Sequence, residues 1–183
     1  MSRVRIVGGT HRSRLLQVAS VPGLRPTPDR VRETLFNWLG QRLDGWRCLD
    51  LFAGSGVLGF EAASRGAAEV VMVEFDARAH QLILDAIAAL PAPNVTAIRG
   101  DAVKFLQNEP GTFDLIFLDP PYRAGWLPRV FSSLMKVTTP NTLIYMEAES
   151  AVEAPAPWKI IKQGMAGQVH FHLLAQSDAE HPA

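Results

Sequence analysis

Leu49-Asp50-Leu51-Phe52-Ala53-Gly54-Ser55-Gly56 carries an apolar strand into a glycine-rich turn, and a helix-like segment follows at once. Glycines at that junction let backbone pass close to a ligand while the N–H groups of the helix face it. Outward from this stretch the pattern alternates. Apolar runs predict strands over 46–51, 69–74, 94–99, 113–118 and 141–147. Helical periodicity predicts helices near 56–65, 77–90, 101–107 and 125–136. A repeat of roughly 25 residues with continuously apolar strands implies an α/β fold, its parallel sheet covered on both faces. Two further strand-like stretches, Trp158 to Ile161 and Val169 to Leu174, bring the sheet to seven, with Gly164 to Gly167 as their hairpin.

The chain has 183 residues, 48% of them hydrophobic and 20% charged, which suits one globular domain. No apolar stretch approaches the ~18 residues of a membrane span, and Met1-Ser2-Arg3-Val4-Arg5 lacks a signal peptide's apolar stretch. These features imply no membrane partner and a cytoplasmic setting. The single cysteine, Cys48, lies in a predicted core strand and reads as a packed, inert thiol. The five histidines show no metal-binding spacing, so no metal is expected; His170 and His172 read as a solvated or half-buried pair.

The net charge of zero hides an asymmetry. Residues 1–47 carry nine Arg against three acids, whereas residues 48–183 carry nine Lys or Arg against fifteen acids. Arginine's planar fork suits phosphate. Residues 1–45 therefore read either as a solvated basic face or as a polyanion-binding arm on a catalytic body at 46–176. Within the arm, Val4 to Val7 and Leu15 to Val18 flank Gly8-Gly9 as a hairpin, with Arg12 and Arg14 in or after its loop. Arg25-Pro26-Thr27-Pro28 reads as extended, and a helix is predicted to start at Pro28 with Thr27 as its N-cap. Val31, Leu35, Trp38 and Leu39 form its apolar stripe, with Arg30 on the other side and Gly40 or Gly45 at its end. The last residues, 177–183, read as a disordered tail.

The chemistry-bearing motif is Asp119-Pro120-Pro121-Tyr122, which ends the strand predicted over 113–118. It places a carboxylate, two imino residues without N–H donors and a flat ring at the carboxyl edge of the sheet. That set suits an exocyclic amine on a flat heterocycle: Asp119 and the Pro120 carbonyl accept its two N–H bonds, and Tyr122 stacks on the ring. Paired with the glycine turn, it points to methyl transfer onto a nucleobase amine.

The cofactor half reads from Asp50, Phe52, Gly54 and Gly56, from Glu74 eighteen residues past Gly56, and from Gly100-Asp101-Ala102. Glu74 stands where an acid reaches a ribose diol. Asp101 accepts from an adenine amine or caps the next helix. The run Gly54-Ser55-Gly56-Val57-Leu58-Gly59 also spells the dinucleotide pattern, so the glycines alone do not separate NAD from S-adenosylmethionine. Asp50 favours the second, because it is placed to face an ammonium.

LDLFAGSG at 49–56, the acid at 74, GDA at 100–102 and DPPY at 119–122 resemble the class I S-adenosylmethionine-dependent methyltransferases that modify exocyclic amines. Arg25 to Leu39, with Ile6-Val7-Gly8-Gly9 and Ala166-Gly167-Gln168-Val169, resembles the bacterial RsmD family, over about residues 3–175. Val57 and Phe60 are minor departures. The resemblance implies a Rossmann-like fold and methylation of a guanine N2 amine in small-subunit (16S) ribosomal RNA. It implies S-adenosylmethionine as donor and an rRNA partner within an assembling small subunit, the protein acting as a monomer. It implies catalytic roles for Asp119, Pro120 and Tyr122. Cofactor contacts would come from Asp50, Phe52, Gly54, Gly56, Glu74, Asp101 and Ala102, and RNA contacts from Arg12, Arg14, Arg25, Arg30 and Arg32. The alternatives are a DNA adenine-N6 or cytosine-N4 methyltransferase, and a non-catalytic protein that binds S-adenosylmethionine and RNA.

Overall fold

The computed structural model describes residues 2–22, 26–109, 111–121, 125–150 and 152–177. A seven-stranded sheet forms the body. Its strands are β3 (Arg47–Asp50), β4 (Glu69–Glu74), β5 (Val95–Arg99), β6 (Phe113–Leu118), β7 (Thr138–Ala148), β8 (Trp158–Ala166) and β9 (Val169–Gln176). They lie in the order β5-β4-β3-β6-β7-β9-β8. The first five run parallel, and β9 and β8 add antiparallel pairs at one edge. This is the mostly parallel, Rossmann-like sheet that the alternation implies.

Helices α1 (Asp29–Leu39), α2 (Val57–Ser64) and α3 (Ala77–Ala89) cover one face, α4 (Ala102–Asn108) and α5 (Trp126–Leu134) the other. Alternation along each strand splits the core. Cys48, Leu115, Phe117 and Tyr145 point to the first layer; Leu49, Ile116, Ile144 and Met146 point to the second. Burial pushes the Cys48 thiol up, in keeping with an inert packed sulfur. Strand β7 starts three residues before the predicted 141. Pro140 supplies no ladder N–H, and the register slips between Phe113 and Leu115 beside it, which hides the continuation from a sequence reading.

The N-terminal segment forms the expected hairpin, β1 (Ser2–Arg5) with β2 (Leu15–Val18). Its apolar side, Val4, Ile6, Leu16 and Val18, enters the same core layer as α1 and α2. The loop grips the end of α2. Thr10 N–H donates to the Ser64 carbonyl at 2.7 Å, His11 N–H to Ser64 Oγ at 2.8 Å, and Ser64 Oγ to the Gly8 carbonyl at 2.5 Å. Gly9 has φ +73°, and a Cβ there would stand 1.9 Å from the Ser64 carbonyl oxygen, so only glycine permits this approach.

Two expectations for α1 are corrected. The helix begins at Asp29, with Pro28 extended at the N-cap position and no side-chain cap. Thr27 does not cap it; its hydroxyl donates instead to Glu147 Oε1 at 2.6 Å. A buried carboxylate has more to gain from a donor than a helix end near water. Arg32, expected at RNA, is fully buried. Its guanidinium donates to the Arg5 carbonyl at 2.7 Å, to Glu61 Oε1 at 3.1 Å and to Asp29. Glu61, on α2, also accepts Val7 N–H at 2.7 Å and pairs with Arg65 at 3.3 Å. Arg32 therefore ties hairpin, α1 and α2 together and leaves no charge for phosphate.

Candidate active site

The sheet reverses its strand order between β3 and β6, and at such a switch point ligands bind outside the carboxyl ends of the strands. A cavity of about 410 Å³ lies there. The ends of β3, β4, β5 and β6 bring to its wall Asp50, Glu74, Asp101 and Asp119, with Phe52, Gly54, Ala102 and Pro120 beside them. Gly56 is not on the wall. With φ +75° it bends the chain so that Val57 can open α2.

Each acid has a defined local role. Asp50 is buried and accepts Gly59 N–H at 3.0 Å, fastening the strand end to the first turn of α2. Burial pushes its carboxyl up to about 7, against the Gly59 N–H, with Glu74 and Glu147 adding to the rise. Glu74 accepts Gly54 N–H and Asp76 N–H, both at 2.7 Å, and so braces the glycine turn from the neighbouring strand. Asp101 accepts Lys104 N–H at 2.9 Å as the N-cap of α4 while also lining the cavity. Asp101 thus caps α4 from a place on the cavity wall.

Asp119 is half-buried in the cavity wall. Burial, then the neighbouring Glu147 and Asp50 carboxylates, hold it well above the usual carboxylate range. Tyr122 lies outside the described residues, as does Arg25. Arg12, Arg14 and Arg30 are exposed, away from the cavity wall.

Several lining residues were not singled out as site residues in the sequence. Val21, Pro22, Pro26 and Thr27 reach the wall from the N-terminal segment. Phe75 is 76% exposed at the rim, beside Glu74. Trp126 meets the Phe52 ring edge-on at 5.5 Å. An apolar residue directly after the β4 acid is a usable signal for Phe75. Trp126 had none, since it opens a helix.

The raised Asp50 carboxyl predicts a pH effect. Its folded value of about 7 exceeds the unfolded value near 3.8, so the folded chain holds that proton more tightly. The resulting stability is fully present below the unfolded value and is lost as pH rises through about 7. The loss is on the order of 4 kcal/mol at most. Asp50→Asn should therefore melt higher than wild type at pH 8 and close to it at low pH, in a melting series. Parallel curves at all pH values would remove the effect from Asp50.

A parallel sheet with an acid at successive strand ends and a switch-point cavity is a Rossmann-like frame, and the solved relatives assign it to the class I methyltransferases. The chain belongs to the RsmD family, whose model, described as conserved hypothetical protein 95, matches residues 4–175. It is 40% identical to ribosomal RNA small subunit methyltransferase D of Escherichia coli (strain K12), over 97% of this chain and 95% of that protein. The protein of that name from Haemophilus influenzae is also 40% identical, over 93% and 92%. The solved structure of yhhF from Escherichia coli matches with a TM-score of 0.86 at 40% identity, covering 98% of this chain and all of that one. The chain is accordingly a methyltransferase.

Proposed function

We propose that the protein transfers the methyl group of S-adenosylmethionine to the exocyclic N2 amine of a guanine in small-subunit ribosomal RNA. The observation that carries this reading is the Asp119-Pro120 strand end on the same cavity wall as Asp50, Glu74 and Asp101. The donor set fits the cofactor. Five carboxylates around one cavity (Asp50, Glu74, Asp76, Asp101 and Asp119) suit a cationic nucleoside and oppose a pyrophosphate. Asp50 would face the ammonium, Glu74 the ribose diol and Asp101 the adenine amine, with Phe52 and Phe75 as apolar walls. When bound, S-adenosylmethionine supplies an electrophilic methyl group.

The chain's own task is positioning. Guanine N2 is a poor nucleophile because its lone pair is conjugated with the ring. Asp119 and the Pro120 carbonyl, accepting from its two N–H bonds, would favour a pyramidal nitrogen and direct its lone pair. Tyr122 is assigned to stacking on the extruded base, for roughly 1–3 kcal/mol. Nucleoside mass spectrometry after incubation with labelled S-adenosylmethionine and separate RNA and DNA pools tests the reading. N2-methylguanosine in RNA is expected. Label only in DNA would establish the DNA alternative, and cofactor binding without label in either pool would establish the non-catalytic one.

The exposed arginines of residues 1–45 are assigned to RNA backbone contact within an assembling small subunit, with the protein as a monomer. Replacing Arg12, Arg14 and Arg30 together with Gln should flatten the log–log salt dependence of RNA binding by about 2–3 units. Their exposure predicts an unchanged melt. Filter binding across a salt series, beside a melting curve, checks both; an unchanged slope removes these residues from the interface.

A further inference from the structure

Three carboxylates end adjacent strands on one face of the sheet: Asp50 on β3, Asp119 past β6 and Glu147 on β7. Leu118 pairs with Met146, so Asp119 and Glu147 stand one step further along, side by side, with strand axes about 4.8 Å apart. Only Asp50 and Asp119 reach the cavity wall; Glu147, 4% exposed, sits behind it. The reaction as described gives Glu147 no task. A buried acid beside a second carboxyl opposes folding, so its placement calls for a compensating gain.

The two acids are held differently. Glu147 Oε1 accepts the Thr27 hydroxyl at 2.6 Å and the Tyr145 hydroxyl at 2.8 Å. Thr27 is 3% exposed and Tyr145 fully buried, so both hydroxyls meet the Glu147 carboxyl in a buried setting. Burial raises the Glu147 carboxyl, and the Thr27 and Tyr145 hydroxyls and then the Arg32 guanidinium, on α1, oppose that rise. Among the described residues no hydrogen-bond donor reaches Asp119. Of the pair, Glu147 alone has hydroxyl donors that favour its charged form, which leaves Asp119 as the one to change state. Like charges at that range do not both ionise freely, and a fixed anion makes its neighbour the more basic group.

Resting on the reaction proposed above, we infer that Glu147 is a positioning residue: clamped by Thr27 and Tyr145 as a fixed anion behind Asp119, it makes Asp119 the member of the pair that takes the amine's proton. The amine loses one proton for the methyl it gains, and the proton passes from N2 to an Asp119 carboxylate oxygen. Thr27 also lines the cavity, so the N-terminal segment that presents arginines to RNA supplies the clamp as well. The charged groups around Asp119 are Glu147 on β7 and Asp50 on β3. Glu74 on β4 acts on Asp50, and Arg32 acts on Glu147.

Two readouts test this. The first is the titration of the Asp119 carboxyl in ligand-free protein, followed by carbon-13 NMR and assigned by its loss in Asp119→Asn. The second is the acid limb of the pH–rate profile in single turnover. Glu147→Gln keeps an acceptor for both hydroxyls and removes only the charge. The Asp119 midpoint and the acid limb should both fall, by about one pH unit or more. Thr27→Val weakens the clamp without removing the charge. Glu147 should then take up the pair's first proton in place of Asp119. An Asp119 midpoint unmoved in Glu147→Gln overturns the inference, whether or not that variant melts lower, since a merely structural Glu147 would shift only the melt. A wild type that methylates no RNA yet shows the shifted midpoint would sink the proposed reaction and leave the coupling standing. Turnover with no shift would do the reverse.

Discussion

Asp119→Ala should lower single-turnover methyl incorporation by at least about 10²–10³-fold, the scale on which a single charge-stabilising contact at a reacting centre is felt. S-adenosylmethionine affinity should stay within a few-fold, because the interaction is made mainly as the amine reacts. The surroundings of Asp119 add a second expectation. Removing it relieves Glu147 and Asp50 of a like-charged neighbour, so the variant should melt at or above wild type. Lost turnover with retained stability separates a chemical role from a packing role. Incorporation at the wild-type rate would overturn the proposed mechanism.

Arg32→Met should destabilise the protein by about 3 kcal/mol, the low end of the cost of breaking a buried ion pair, because Glu61 keeps Arg65. Glu61 is fully buried, and burial raises its carboxyl even with Val7 N–H, Arg32 and Arg65 lowering it. The Arg5 carbonyl would lose its donor too. Adding Glu61→Gln should recover part of the loss, since the amide oxygen can still accept Val7 N–H. Denaturant unfolding of the single and double variants measures this. Hydrogen exchange should show the amides of residues 2–18 losing protection first. A cost below about 1 kcal/mol would mean that apolar packing alone holds the hairpin to α2.

Much of this architecture is legible in the residues. The parallel strands are buried on both faces, so 69–74 and 113–118 read as continuous apolar runs with the observed bounds. Glycine turns and acids at strand ends placed the cavity, because a switch-point site draws on local signals. Long-range polar pairings were not legible. Arg32 looks like any other arginine in a basic stretch, and its burial depends on Glu61, twenty-nine positions away. Glu147 ends an apolar strand with nothing to mark its partners, of which Thr27 lies 120 positions upstream. Thr27 itself matched a strong local rule for helix caps, and the buried acid overrode that rule.

The Thr27–Glu147 contact also sets an order for the birth of the protein. The ribosome delivers Thr27 early, but the acid that receives its hydroxyl emerges 120 residues later. At synthesis rates of 5–20 residues per second, that interval is roughly 6–24 seconds. During it the arginine-bearing hairpin can already dock on α2, whose last residue is Ser64. Thr27, which lines the cavity, cannot take up its contact with Glu147 until β7 joins the sheet. A nascent chain would therefore gain its basic surface well before its reaction chamber, and an arrested fragment ending before residue 147 should hold RNA without methylating it.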